Sequence, residues 1–352
     1  MKDEKLQNSF VKRLIPEASA LLVAEISANH DKDLDQALSL LEVAADAGWH
    51  CVKLQTYSAD SLTMRSEHPS MKIDPVWGYS NLHELYSAAS MPMEFHEPLF
   101  ARARELGLLP FTSVYDPMDL PFLEDLGCQI YKIASFELTF DDLLIEVAST
   151  GKPIILSTGM SEMSEVDHAV DLIRRSGNTE LAVLHCCSAY PAPYDSINLN
   201  SMLTMQERFD LPVGFSDHTV DAVASLTAIS MGACLIEKHF TNDPNRSGPD
   251  HRFSATPQIL KEISHGLRII DQLRGKHVKK SASEEAENKI RGRRSAFAVR
   301  NLCQGDIIQN DDFRFVRPGV GVPANQKHLL IGKVLLTEIP AGYPITLDDL
   351  GQ

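Results

Sequence analysis

The chain has 352 residues, 43% hydrophobic and 23% charged, with a formal net charge of −15. That length suits a large domain plus a small module, and the charge excludes nucleic acid and anionic membrane surfaces as expected partners. An anionic substrate therefore needs a local cluster of cations. The six cysteines, at 51, 128, 186, 187, 234 and 303, lack zinc-type spacing and read as reduced thiols. No signal peptide and no run of about 18 apolar residues is read, so a reducing cytoplasm is the expected compartment.

Residues 1–19 are polar and mixed in charge, and read as an N-terminal arm or edge hairpin. From LLVAEISANH onward, short apolar runs alternate with amphipathic helices eight times. The expected strands are Leu21 to Ile26, Cys51 to Thr56, Leu108 to Val114, Ile130 to Ser135, Pro153 to Thr158, Leu181 to Cys187, Pro212 to His218 and Leu235 to Thr241. Helical spacing fills the gaps, as at Leu34, Ala37, Leu38, Leu41 and Ala45. Nearly continuous apolar strands joined by crossover helices mean a covered parallel sheet, and eight such units over residues 20–275 predict an α/β fold of the (β/α)8 TIM-barrel type. A doubly wound open sheet is the alternative. It is weaker because AEISANH, not a glycine-rich phosphate turn, follows the first strand.

The stretch from Ser58 to Pro92 has little regular pattern and reads as a lid, a binding loop or a plain surface insertion. Residues 276–292, RGKHVKKSASEEAEN and its flanks, read as a charged linker with at most a short helix. Residues 293–352 carry β-like pieces and turn signals, and predict a small β module with little core of its own, stabilised by packing on a partner.

In barrels of this kind function sits at the C-terminal ends of the strands. Those tips read Glu25, Ser27 and Asn29; Lys53 and Gln55; Thr112 and Ser113; Lys132, Ser135 and Glu137; Ser157 and Thr158; His185 and Ser188; Ser216 and His218; Glu237, Lys238 and His239. Residues two apart on a strand share a face, so Lys53 with Gln55, Ser216 with His218, and Glu237 with His239 project together. Neighbouring strands lie roughly 4.8 Å apart, close enough for His218 and His239 to share a cation. A single strand-end histidine is ordinarily no more than a polar residue, and only the surrounding rim argues otherwise. Two lysines inside apolar strands are costly without partners, and point to a phosphate or carboxylate ligand. The competing arrangement pairs each lysine with a rim carboxylate such as Glu25 or Glu237, and must hold twice. Two imidazoles with open coordination positions suit manganese or magnesium, with cobalt a further candidate, polarising a substrate carbonyl.

The motifs AEISANH, KLQTYSADSLT, YKIASFE, ILSTGM, LHCCSAYPAPY, GFSDHT, IEKHFT, SGPDHRFS and FVRPGVG together resemble the nonulosonic acid (sialic acid) synthases, from about residue 20 to residue 350. That family condenses phosphoenolpyruvate (PEP) with an open-chain N-acetylated hexose and releases phosphate. The resemblance implies a barrel joined to an antifreeze-like (SAF) module, in a domain-swapped homodimer. By motif, His218 and His239 match the metal ligands. Lys53, Lys132, Ser135, Ser157 and Ser216 match contacts to PEP. Glu25 matches the catalytic carboxylate, and Lys53 and Lys132 are counted as catalytic with it. Gln55, Glu137, Tyr190 and Asp250 match contacts to the amino sugar, and Arg317 matches an arginine supplied by the second subunit.

SFE at Ser135 to Glu137 and the segment around WGYSNLHELYSAASMPMEFH resemble the pseudaminic acid synthases, which implies 2,4-diacetamido-2,4,6-trideoxy-altropyranose as the sugar. LHCCSAYPAP and SGPDH are closer to the N-acetylneuraminate and legionaminate branch, which remains the alternative. TSVYDP departs from the family at the third strand and leaves Thr112 without a carried-over role. A PEP aldol condensation on a phosphorylated aldose would need a further cationic pocket. A non-catalytic carbohydrate-binding protein is the alternative of another class.

Overall fold

The computed structural model describes Leu14, residues 19–73 and residues 78–351. Most of the expected N-terminal arm, 1–13 and 15–18, lies outside the described residues. The chain divides into two units, Met1–Gly275 and Lys276–Gln352.

In the first unit eight parallel strands close into a barrel in sequence order. They are β1 (Leu21–Glu25), β2 (Cys51–Thr56), β3 (Leu109–Val114), β4 (Tyr131–Ile133), β5 (Ile154–Ser157), β6 (Leu181–Cys186), β7 (Val213–Asp217) and β8 (Leu235–His239). Closure is made by β8 on β1, with Leu21 opposite Leu235 and Glu25 opposite His239, which rules out the open sheet. Each strand is almost wholly buried because helices cover its outer face. The helix Leu34–Asp46 shows how: Asp33 caps it by accepting from the Asp35 and Gln36 amides, and Ala37, Leu40, Leu41 and Ala44 face the barrel. The last helix of this unit, Pro257–Arg274, is capped by Thr256 and buries Leu260, Ile263 and Leu267 in the same way. Among the described residues no helix is long and apolar enough to cross a membrane.

The segment from Ser58 to Pro92 is more ordered than its sequence suggests. It holds the short helix Ala59–Leu62 and the eight-residue helix Leu82–Ala89, capped by Asn81. Both are brief, so their periodicity covers barely two turns and gives a weak signal.

The second unit contains the exposed helix Ala286–Gly292 and an antiparallel pair, β9 (Ser295–Ala298) and β10 (Phe313–Val316). It does carry a small core, in which Ala296, Leu302, Ile308, Phe313, Leu335 and Ile345 pack together. All six cysteines are free thiols.

Candidate active site

The polar cluster forms where the strands end. Strand alternation selects its members. Lys53 lies at the centre: its Nζ is 2.6 Å from Glu25 Oε2 and 3.4 Å from Glu237 Oε1, and donates to Ser113 Oγ at 3.0 Å. Lys132 Nζ stands 3.9 Å from the same Glu237 oxygen and donates to the Ile133 carbonyl at 3.2 Å. Ser216 Oγ donates to Glu237 Oε1 at 3.1 Å. The carboxylate pairing disfavoured from the sequence is thus what the chain adopts for Lys53. The reason is desolvation: Lys53 is 3% exposed, an unpaired ammonium there costs several kcal/mol, and Glu25 lies directly opposite it in register.

The same alternation removes several rim candidates. Lys238 turns away from Glu237 and His239 to pair with Asp217 at 2.9 Å and donate to the Thr219 carbonyl. His185 donates to the Ile197 carbonyl and stacks on Phe215. Thr158 donates to the Leu184 carbonyl. Thr112 is bonded to Thr56, which also meets His96, so the third strand contributes Ser113 instead.

Of the three matched serines only Ser216 bonds to the cluster, and Ser135 and Ser157 lie at the neighbouring tips of β4 and β5. Ser157 Oγ is buried without a hydrogen-bond partner. Ser135 Oγ accepts from the Gly159 amide at 2.9 Å. A Cβ built at Gly159 would come within 2.1 Å of Ser188 Oγ and 2.9 Å of Ser135 Oγ. Only glycine lets these hydroxyls approach the β5 tip.

The charges are pushed apart. Burial raises the Glu25 carboxyl, with Lys53 opposing and Glu237 reinforcing the rise. Burial acts upward on Glu237 too, but Lys132, Lys53 and His218 outweigh it and hold that carboxylate down. Burial, aided by Lys53, lowers Lys132 to about 8 against the pull of Glu237. One carboxyl is ready to take a proton while its neighbour stays ionised, the pattern of an acid-base pair.

His218 and His239 stand edge to face, with ring centroids 5.3 Å apart and planes at 79°. The His218 Nδ1 proton is donated to the Cys187 carbonyl at 2.9 Å, which leaves Nε2 with its lone pair. His239 Nδ1 is buried without a partner. Burial, then His218 and the lysines, drive His239 well below the usual imidazole range. At His218 burial acts in the same direction, but Cys186, the Cys187 carbonyl and Glu237 outweigh it. Among the described residues no group of three or more His, Cys, Asp or Glu side chains is arranged to hold a metal. Two imidazoles, one fixed by a carbonyl and one with an orphaned nitrogen, fit a cation whose remaining positions are filled by substrate and water.

Of the residues matched by motif to the amino sugar, Tyr190 has its ring centroid 4.2 Å from that of His218 and 5.2 Å from that of Phe253. Gln55 Nε2 donates to Ser27 Oγ at 3.3 Å, and Asp250 accepts from the Ser27 hydroxyl and, at 3.1 Å, from the Ala28 amide. Burial, opposed by Lys132, pushes Glu137 up to about 7, and its Oε2 has no partner. Arg317 is an exposed residue just after β10, in the second unit. The residue that sequence reasoning undervalued is Glu237, which touches Lys53, Lys132 and Ser216. Its position two before His239 in IEKHFT was the available signal. Gly159 and Cys186 were passed over; Cys186 Sγ lies 3.7 Å from His218 Nδ1.

The chain is similar to known proteins over most of its length. Residues 40–279 match the NeuB family and residues 293–351 match the SAF domain. The chain is 34% identical to pseudaminic acid synthase of Helicobacter pylori, over 94% of this chain and 97% of that protein. It is 33% identical to N,N'-diacetyllegionaminic acid synthase of Campylobacter jejuni, over 89% and 95% respectively. Among solved structures, the N-acetylneuraminic acid (sialic acid) synthetase of Leptospira borgpetersenii superposes with a TM-score of 0.69 at 28% identity, covering 77% of this chain and 90% of that one.

Proposed function

The chain belongs to the NeuB family and carries a SAF domain, which makes it a sugar acid synthase, and from that premise we propose that it condenses PEP with an open-chain N-acetylated hexose. The observation that carries this reading is the buried set of Lys53, Lys132 and the unpartnered Ser157 hydroxyl, beside two adjacent imidazoles. Lys53 is shared by two carboxylates and Lys132 stands 3.9 Å from one of them, so a PEP anion would compete for these ammonium groups and meet the free Ser157 hydroxyl beyond them.

In this reading Lys53 and Lys132 bind the carboxylate and phosphate of PEP, with Ser135, Ser157 and Ser216 donating to their oxygens. His218 and His239 would hold a divalent cation, manganese first and magnesium or cobalt next, which would supply Lewis-acid polarisation of the sugar aldehyde. Gln55, Glu137, Tyr190 and Asp250 orient the sugar so that its aldehyde carbon meets C3 of PEP. As that bond forms, C2 becomes positive, and the neighbouring Glu237 carboxylate stabilises it. Glu25 takes a proton from the water that adds to C2. The C2–O bond to phosphate then breaks, leaving the 2-keto acid and inorganic phosphate.

For the sugar we favour 2,4-diacetamido-2,4,6-trideoxy-altropyranose, giving pseudaminic acid. Phe136 favours a 6-deoxy sugar of either kind over N-acetylmannosamine: it is 62% exposed on the one-turn helix Ser135–Glu137 that follows β4, where an apolar ring suits a 6-deoxy methyl group, and the choice of the altro sugar rests on the SFE resemblance. N-acetylmannosamine and the 2,4-diacetamido-6-deoxy precursor of legionaminic acid are the runners-up. Phosphate release from PEP, measured against all three sugars with added manganese, tests both levels. Turnover with one of the runners-up alone rejects the favoured sugar. No release with any of the three rejects the reaction.

A further inference from the structure

The six residues after β1, Ser27 to Lys32, tie down the loops on both sides of the strand ends. Asn29 Nδ2 donates to the Phe240 carbonyl and to Ser254 Oγ, each at 2.8 Å. His30 Nε2 donates to the Ala89 carbonyl at 3.2 Å, and the Lys32 ammonium to the Ser87 carbonyl. Asp31 faces the opposite loop. Its Oδ1 accepts from His251 Nε2 at 2.9 Å and its Oδ2 from Arg246 Nε at 2.6 Å. Ser27, Asp31 and Lys32 all have positive φ, at 51°, 50° and 55°. Left-handed backbone at non-glycine residues is costly and persists only where the surroundings over-determine it.

His251 is fully buried, and its second nitrogen lies 2.7 Å from Thr241 Oγ1. With both nitrogens engaged it has no donor or acceptor left for a ligand. It is, however, the residue directly after Asp250. The largely exposed loop that ends in Asp250 runs from Asn242. Gly248 in that loop lies against the same pair: a Cβ there would come within 2.7 Å of His251 Cδ2 and 3.1 Å of Asp31 Oδ1. The Asp250 carboxylate itself is held by the Ser27 hydroxyl and the Ala28 amide, but the exposed loop behind it pulls on that contact unless it too is anchored, and ordering it only when ligand arrives weakens binding.

We propose that Asp31 is a positioning residue for the sugar subsite. Through His251 it fixes the loop so that the Asp250 carboxylate is already in place when the sugar enters. The inference rests on the reading of Asp250 as a sugar contact. Asp31 acts without touching the sugar, so its loss should weaken sugar binding and leave PEP binding alone.

The test uses full-length, manganese-loaded enzyme and initial rates with each substrate varied in turn. Asp31→Ala and Gly248→Ala should each raise the sugar KM about tenfold, a misplacement effect, with the PEP KM nearly unchanged. Asp31→Asn retains an acceptor for His251 Nε2 and should restore most of the loss. Asp31→Ala added to Asp250→Asn should give no further rise, because the two act through one contact. A raised sugar KM in Asp250→Asn with wild-type values in Asp31→Ala overturns this inference and leaves the function intact. An unchanged sugar KM in Asp250→Asn removes Asp250 as a contact, and the role of Asp31 with it. Equal losses for alanine and asparagine, or a matching rise in the PEP KM, also overturn it. If Asp31→Ala does not fold, Gly248→Ala and Asp31→Asn decide the question by the same criteria.

Discussion

The Lys53 ammonium lies 2.6 Å from the Glu25 carboxylate, and both side chains are almost wholly out of solvent. An anion arriving at Lys53 competes for this contact and favours proton uptake by Glu25, whose carboxyl burial already pushes up. Glu25→Gln keeps the shape and removes the base. Its kcat should fall by about 10² to 10⁴, while the KM for PEP changes little. Lys53→Met should instead raise that KM and lower Tm, because it strands two buried carboxylates. A Glu25→Gln variant with near-normal kcat would exclude the base role.

The two adjacent imidazoles predict a measurable metal response apart from turnover. Activity should vanish in excess chelator and return with manganese. Saturating manganese, at about 100 times its Kd, should also add about 2.7 kcal/mol of stability to the wild type. His218→Ala and His239→Ala should lose that gain. Full turnover of metal-stripped enzyme in chelator would be fatal to the assignment.

Lys132 gives a pH signature. It binds an anion only when protonated, and burial holds it down to about 8. The KM for PEP should therefore climb as pH rises through 8. Lys132→Arg, charged across that range, should flatten the climb even if its absolute KM is worse. A wild-type profile flat to pH 9.5 contradicts the prediction.

Glu137 should reveal itself through stability. Its folded value of about 7 exceeds its ordinary value of 4.5, so the folded state holds the proton more tightly. That contribution is complete below pH 4.5 and is lost as pH rises through 7. Glu137→Gln should therefore gain Tm relative to wild type at pH 8 but not at pH 4.5. At 1.36 kcal/mol per pH unit the ceiling is about 3 kcal/mol, and partial exposure reduces it. Thermal melts at both pH values decide, and equal differences at the two would reject the shift.

Arg317, exposed after β10, is proposed to contact the sugar's N-acetyl group from a second copy of the chain. Arg317→Ala should raise the sugar KM far more than that of PEP. In mixtures with an Asp250→Asn variant, sugar affinity should partly recover if the arginine is supplied across copies. No recovery argues for supply within one chain.

The second unit illustrates how small modules mislead. Its apolar residues are scattered at irregular spacing, as in SAFAVRNL and IGKVLLTEI, so no strand or helix period signals a core. Isolated bridges such as Leu302 with Ile339 and Ile307 with Val334 nonetheless gather them around one centre. The helix Leu82–Ala89 was missed for a related reason, since eight residues barely complete two turns.

Much of the barrel was written in the sequence. Eight apolar runs with helical intervals leave a parallel sheet few ways to close, and the period of two places Glu237 and His239 on one face with Lys238 on the other. The tips that carry Glu25, Lys53, Lys132, Ser216 and the two histidines could be read off directly. Which of them touch could not, because contact depends on register and closure between strands far apart in the chain. Only the folded barrel decided that Lys53 is shared by Glu25 and Glu237, that His185 and Thr112 belong outside the cluster, and that Asp31 holds His251 across 220 residues. Local pattern reports which face a side chain takes, but a buried charge finds its partner through packing, since desolvation forces whatever ion pair the closed barrel brings within reach.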